Sequence, residues 1–242
     1  MKNLVKTEII ENIYSQINGL ETAESKQKLE AICQIISNQI KEDDSFISEE
    51  RKAKLEEIIQ YAKSKINENK DLNLTFICIH NSRRSHFSEV WFHIASLFHN
   101  LKVNTSSGGT SETACNYRVI SSFNRFGFDV TSTLSTKNEN GVEIISSDTN
   151  PIYTFDFRGQ SKFLFSKVFN CDYNPNSNFA AVMVCSEAET NCPYVFAADS
   201  RISMPFSDPS EFDGTELESE GYDKKSIEIA LEMFYLVSKI KE

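Results

Sequence analysis

One short stretch, Cys78-Ile79-His80-Asn81-Ser82-Arg83-Arg84-Ser85, combines a thiol, a guanidinium six positions on and a hydroxyl directly after it. It lies between an apolar run, residues 72–79, and a segment of helical spacing that starts at Ser85. The N–H groups of a loop entering a helix converge, and together with the helix dipole they favour an anion. A thiol in that field is expected to be held as thiolate at neutral pH. Arg84 is placed to grip two oxygens of a tetrahedral anion through its planar fork. The Ser85 hydroxyl is placed to hydrogen-bond the sulfur and to cap the helix. Cys78 is therefore the expected nucleophile, with Ile79, His80, Asn81, Ser82, Arg83 and Ser85 cradling the substrate. A buried structural cysteine is the alternative, and the strand before and helix after the loop weigh against it.

A cysteine nucleophile needs an acid for the leaving group. Asp208-Pro209 follows the fourth apolar strand candidate, on the sheet edge where Cys78 lies, and Pro209 stiffens the loop that presents the carboxylate. Taken alone, Asp-Pro is a common turn. Cys185 and Cys192 flank a polar segment, SEAETN, immediately after another apolar run. Their spacing is too long for a zinc knuckle or a C-x-x-C redox pair. With Cys78 on the same edge, three thiols in line would allow disulfide exchange to travel from the buried site to the surface; otherwise the pair is unremarkable. Cys33 sits in a helical pattern and reads as core, while Cys115 and Cys171 show no partner pattern. His80, His86, His93 and His99 are at spacings that do not suit metal ligation, so no metal site is expected.

The elements that must position these residues divide near residue 70. Residues 1–70 hold three segments with apolar residues at helical spacing: Ile9, Ile10, Ile13 and Ile17; Leu29, Ile32, Ile36 and Ile40; and Leu55, Ile58, Ile59, Ala62 and Ile66. This helical extension carries no catalytic-looking cluster, and packing or homodimerisation is its expected role. Residues 71–242 alternate strands and helices. Strands are expected over 72–79, 101–105, 179–184 and 201–204, and helices over 85–98, 112–126 (with Gly127 as C-cap) and 222–240. That alternation predicts an α/β fold with a four-stranded parallel sheet and helices on both faces. Near 136–178 the pattern is interrupted by Gly141, Pro151, Gly159 and Pro175, and an inserted hairpin or lid is expected.

Composition bounds the partners. The net charge of −10 provides no basic face for a phosphate backbone, so nucleic acid is not an expected partner. The N-terminal MKNLVKTEIIENIYSQ scatters charges through its apolar pattern, unlike a signal peptide, and no apolar stretch is long enough to span a bilayer. No membrane partner is expected, and a reducing, cytoplasmic setting is. Six cysteines are too few and too scattered for a disulfide scaffold.

FICIHNSRRS, the SSGG of residues 106–109, VMVCSEAETNCP and FSDP together resemble the thioredoxin-coupled arsenate reductases, which share the fold of the low-molecular-weight protein tyrosine phosphatases. The resemblance covers roughly residues 73–240. It implies Cys78 as nucleophile, Arg84 as anion clamp, Asp208 as acid, Cys185 as resolving thiol, Cys192 as the thiol that exports the oxidation, and a left-handed Asn81. It implies arsenate or a phosphate-like oxyanion as substrate and a thioredoxin-like dithiol as reductant, with no other cofactor. The C-x5-R-S loop and Asp-Pro are common to both families, so phosphatase action on phosphotyrosine or small phosphoesters is the alternative. The chain departs from the pattern in having His80 where such loops usually carry Gly, in the second cation Arg83, in the N-terminal extension and in the insertion. Phe212 is the only aromatic residue soon after Asp208.

Overall fold

The computed structural model describes residues 2–20, 23–191 and 194–242. Three helices come first: α1 (Lys2–Asn18), α2 (Ser25–Glu42) and α3 (Glu49–Asn67). The Ser48 side chain accepts from the Arg51 amide and starts α3, with Glu49 and Glu50 in the first turn. Then follow β1 (Asn73–Cys78), α4 (Arg84–Phe98), β2 (Asn104–Gly109) and α5 (Tyr117–Arg125). The insertion holds β3 (Thr131–Thr133), β4 (Ser135–Lys137), β5 (Glu143–Ile145), β6 (Ile152–Phe157) and β7 (Gln160–Leu164). The chain closes with β8 (Ala180–Met183), α6 (Ser186–Asn191), β9 (Ser200–Ser203) and α7 (Glu218–Lys241).

The main sheet has four parallel strands in the order β2-β1-β8-β9, and helices flank it, as the alternating pattern predicts. The strands β1 and β8 are buried almost throughout, which explains why they read as continuous apolar runs. The register pairs Cys78 with Gly109 and Ile77 with Met183. Beyond the strands, the amides of Val184, Met204 and Phe206 extend the ladder to Ile77, Met183 and Val184. Cys78, Cys185 and the segment that leads to Asp208 therefore leave the sheet at one edge.

Two elements start later than the pattern predicts, and α7 starts earlier, at Glu218 rather than residue 222. The second strand begins at Asn104, three residues past the expected start, and runs through Ser106-Ser107-Gly108-Gly109. Ser and Gly have low strand propensity, so a search for apolar runs stops before them. Here close packing outweighs propensity. A Cβ on Gly109 would lie 2.2 Å from the Ser111 carbonyl oxygen and 2.5 Å from that of Ile79. The helix expected from residue 112 begins only at Tyr117, because the Asn116 side chain accepts from the Arg118 amide and fixes the start there. Its far end is as expected: Gly127, φ +84°, follows the C-cap Phe126.

The inserted region is larger than one hairpin. It forms a three-stranded antiparallel sheet, β3-β6-β7, and a separate β4-β5 hairpin. Its return leg runs alongside the main sheet: the Gly109 amide donates to Lys167 O at 2.8 Å and the Phe169 amide to Gly109 O at 2.9 Å. The N-terminal helices pack on α7, and their buried faces, including Ile13, Ile32, Cys33, Ile36 and Ile58, join the same core as the sheet. Lys6 pairs with Glu228, and Arg51 with the buried Glu232 at 2.7 Å. Among the described residues, no helix is long and apolar enough to cross a membrane.

Candidate active site

The residues between β1 and α4 form a loop whose carbonyls are held from outside. Ile79 O accepts from the Ser111 amide at 2.9 Å, His80 O from the Ser166 hydroxyl at 2.8 Å, and Ser82 O from the Asn116 amide at 3.0 Å. In a planar trans peptide the N–H opposes the C=O, so these bonds turn the amides of His80, Asn81 and Arg83 away from those partners. The loop's turn is made at Asn81, which takes φ +45°. Asn tolerates this left-handed conformation better than most residues. Two further bonds fix its side chain: Oδ1 accepts from the Lys167 amide at 3.0 Å, and Nδ2 donates to Ser85 Oγ at 2.9 Å. His80 lies outside the left-handed region, so a non-glycine residue there carries no backbone strain, and its side chain is exposed.

Cys78 is buried, with its sulfur 3.2 Å from Ser85 Oγ. The same oxygen accepts from Asn81 Nδ2, and its hydroxyl can donate to the sulfur when Cys78 is a thiolate. Ser85 does not cap the helix as expected. The N-cap position is Arg83, which makes no side-chain capping bond, and Ser85 sits inside the first turn.

Arg84 opens the helix and is 8% exposed. Its NH2 meets Asp208 Oδ2 at 2.6 Å, and its NH1 donates to Phe206 O at 3.3 Å and lies 3.5 Å from Glu187 Oε2. Asp208 is held from the other side as well, since its Oδ1 accepts from the Ser210 amide at 3.0 Å and starts a short 3-10 turn, Pro209–Phe212. The Phe206 ring stacks on the Arg51 guanidinium of α3, 4.7 Å from its centroid.

Arg83 departs from expectation. Its guanidinium points to Tyr222 OH at 2.7 Å and Asp213 Oδ2 at 2.8 Å, so its charge is matched there, and only its backbone belongs to the loop. Cys185 is fully buried at the end of β8, and its sulfur accepts from the Ala188 amide at 3.3 Å. Burial pushes this thiol up, opposed by the Ala188 amide and by Arg84. The register places Cys185 one position beyond the level of Cys78. Cys78 and Cys185 are both free thiols. Cys192 lies outside the described residues.

A buried polar group supports the loop from beneath. Burial and the charge of Lys167 push His86 down to about 4, and burial and Lys162 push His93 down to about 3. Burial alone would push Glu89 up, but Lys162, at 2.9 Å, and Lys167 outweigh it and hold the carboxyl at about 2. Burial pushes Lys167 down against the pull of Glu89. In the sequence His86 and His93 are weighed only as metal ligands, and Glu89, Lys162 and Lys167 are passed over, the last two of which fall in the aromatic-rich insertion. Glu187 was missed too, because an acidic residue in a polar segment ordinarily reads as a solvated face. Among the described residues, no group of three or more His, Cys, Asp or Glu is placed to hold a metal ion.

One sheet edge thus carries a thiol beside a hydroxyl, a buried guanidinium and a carboxylate poised on that guanidinium. That set can bind a tetrahedral anion and attack it with sulfur. No family model matches the chain, and no curated protein matches it. Among solved structures it is similar to a low molecular weight phosphotyrosine phosphatase from Vibrio cholerae O395, with 12% identity over 71% of this chain and 97% of that one, at a TM-score of 0.46.

Proposed function

We propose that this chain is a thiol-dependent arsenate reductase. The observation that carries the reading is the second free thiol, Cys185, which leaves the sheet beside the Cys78–Arg84–Asp208 set and feels both Arg84 and Cys78. The anion binds across Arg84 and the loop amides. Asp208 keeps its place beside the guanidinium, takes up a proton as the anion enters and delivers it to the departing oxygen. Cys78 forms a sulfur–arsenic bond, and that oxygen leaves as water. Cys185 thiolate then attacks Cys78 Sγ. The sulfur–arsenic bond breaks with its electron pair going to arsenic, so arsenic(V) becomes arsenic(III) and the two thiols become a disulfide. Cys192 attacks Cys185, which restores Cys78, and a thioredoxin-like dithiol reduces the Cys185–Cys192 disulfide.

A second reading, hydrolysis of phosphotyrosine or a small phosphoester, draws on the buried state of Cys185. A thiol with no exposure is not an attacking group as it stands, and a phosphatase needs only Cys78, Arg84, Asp208 and water. Specificity constants for arsenate, with a thioredoxin system following NADPH oxidation, and for an aryl phosphate decide between them. Arsenate turnover that depends on the dithiol supports the reductase. Aryl phosphate hydrolysis without arsenate turnover overturns it in favour of the phosphatase.

A further inference from the structure

If Cys185 is to act, something must bring it out of the core, and the segment that covers it touches the anion clamp. Glu187 and Ala188 are neighbours in α6. The first places its carboxylate 3.5 Å from Arg84 NH1, and the second donates its amide to Cys185 Sγ at 3.3 Å. The guanidinium is thus engaged by two carboxylates and the Phe206 carbonyl, the partners an oxyanion would have to replace.

The two carboxylates are not equally able to move. Asp208 is fixed by the Ser210 amide and sits at the start of the 3-10 turn. The Glu187 side chain is 55% exposed, and it rides on a helix of only six residues. An anion on Arg84 brings like charge against both, and the one on the short, exposed helix gives way. Its displacement pulls on the next residue, whose amide covers the Cys185 sulfur.

We infer that Glu187 is an anion-operated latch: it holds α6 over Cys185 until an oxyanion takes Arg84 from it, and only then is Cys185 uncovered. The order of events follows. Cys185 meets Cys78 only after substrate has bound, so the two thiols are kept from closing a disulfide when no substrate is present. The inference rests on the reading that the Cys78 loop binds an oxyanion, and it holds for either substrate class.

The test uses the full, reduced chain with inorganic phosphate as probe, and reads iodoacetamide labelling of each cysteine by peptide mass spectrometry. Phosphate should protect Cys78 and raise the labelling rate of Cys185 by about fivefold or more, as expected for release of a local cover. Glu187→Gln should bind phosphate roughly three- to fivefold tighter, the scale of losing one partly exposed carboxylate competitor. In that variant Cys185 should label fast even without phosphate. Glu187→Asp, one methylene shorter, should fall between the two. If phosphate protects Cys78 while Cys185 labelling is unmoved, or if Glu187→Gln behaves as the parent, the latch is overturned and Glu187 is a solvated surface acid. If phosphate fails to protect Cys78, the oxyanion reading fails and the latch loses its trigger with it.

Discussion

Folding stability should fall steeply between neutral pH and about pH 5, because two imidazoles are folded into a site that keeps them neutral. His86 is fully buried, with Nδ1 3.4 Å from Ser107 Oγ, and is held down to about 4 by burial and by Lys167. His93, 8% exposed, is held down to about 3 by burial and by Lys162. In the unfolded chain both titrate near 6.5. Below that pH the unfolded state binds more protons than the folded state, so stability declines as pH falls. With a slope of about 1.4 kcal/mol per pH unit for each group, the loss by pH 5 is about 2 kcal/mol per histidine and about 4 kcal/mol for the pair. That is a large part of the roughly 5–15 kcal/mol that a typical fold has. His99, lowered mainly by burial, acts in the same direction. Glu89 does not contribute in this window, since its carboxyl is held at about 2 and its stabilisation is lost only as pH falls below the ordinary 4.5. Urea unfolding at pH 7.5, 6.5 and 5 reads the effect as a falling midpoint. His93→Gln should remove about half of the pH-dependent loss, whatever it does to stability at pH 7.5. A midpoint that is flat from pH 7.5 to 5, or an undiminished decline in the His86→Asn/His93→Gln double variant, refutes the reasoning.

Cys185→Ser should abolish arsenate turnover and leave aryl phosphate hydrolysis largely intact, while Cys192→Ser should trap a Cys78–Cys185 disulfide after one turnover, visible in non-reducing peptide mass spectra. Asp208→Asn should lower kcat by roughly a hundredfold or more, the usual cost of losing a general acid, with iodoacetamide labelling of Cys78 near the parental rate; steady-state kinetics beside the labelling assay separate the two effects. Gly109→Ala should cost several kcal/mol or prevent soluble expression, because its Cβ would meet two backbone carbonyl oxygens at 2.2 and 2.5 Å; a thermal melt near the parental one would show that the loop can yield.

The sequence was most informative where one local rule dominated. Buried parallel strands are predominantly apolar, so β8 and, despite Asn73 and Thr75, β1 announced themselves, and with them the edge that carries Cys78 and Cys185. The loop chemistry was legible from C-x5-R-S because thiol, guanidinium and hydroxyl lie within one turn. What escaped was set by contacts distant in the chain. The strand β2 ends in two glycines because the Phe169 backbone crowds Gly108 and the loop crowds Gly109, and apolar periodicity carries no trace of that. Arg83 reads as a second positive charge beside the loop, but Tyr222 and Asp213, far along the chain, draw its side chain away. The bond from the Lys167 amide to Asn81 likewise depends on how the insertion folds back.

The stacking of Arg51 on Phe206 bears on how the molecule can be divided. Trimming the chain to the residues that align with its chemistry, by starting at the first strand, would remove a guanidinium that serves two neighbours at once. Glu232 would be left as a buried carboxylate without Arg51 or Lys6, a situation that commonly costs about 3–5 kcal/mol. The ring of Phe206, whose carbonyl accepts from Arg84, would lose the surface it lies on. The first seventy residues are thus a buttress for the segment that presents the acid, and a shortened protein would inherit the reactive loop without the wall that keeps its partner in line.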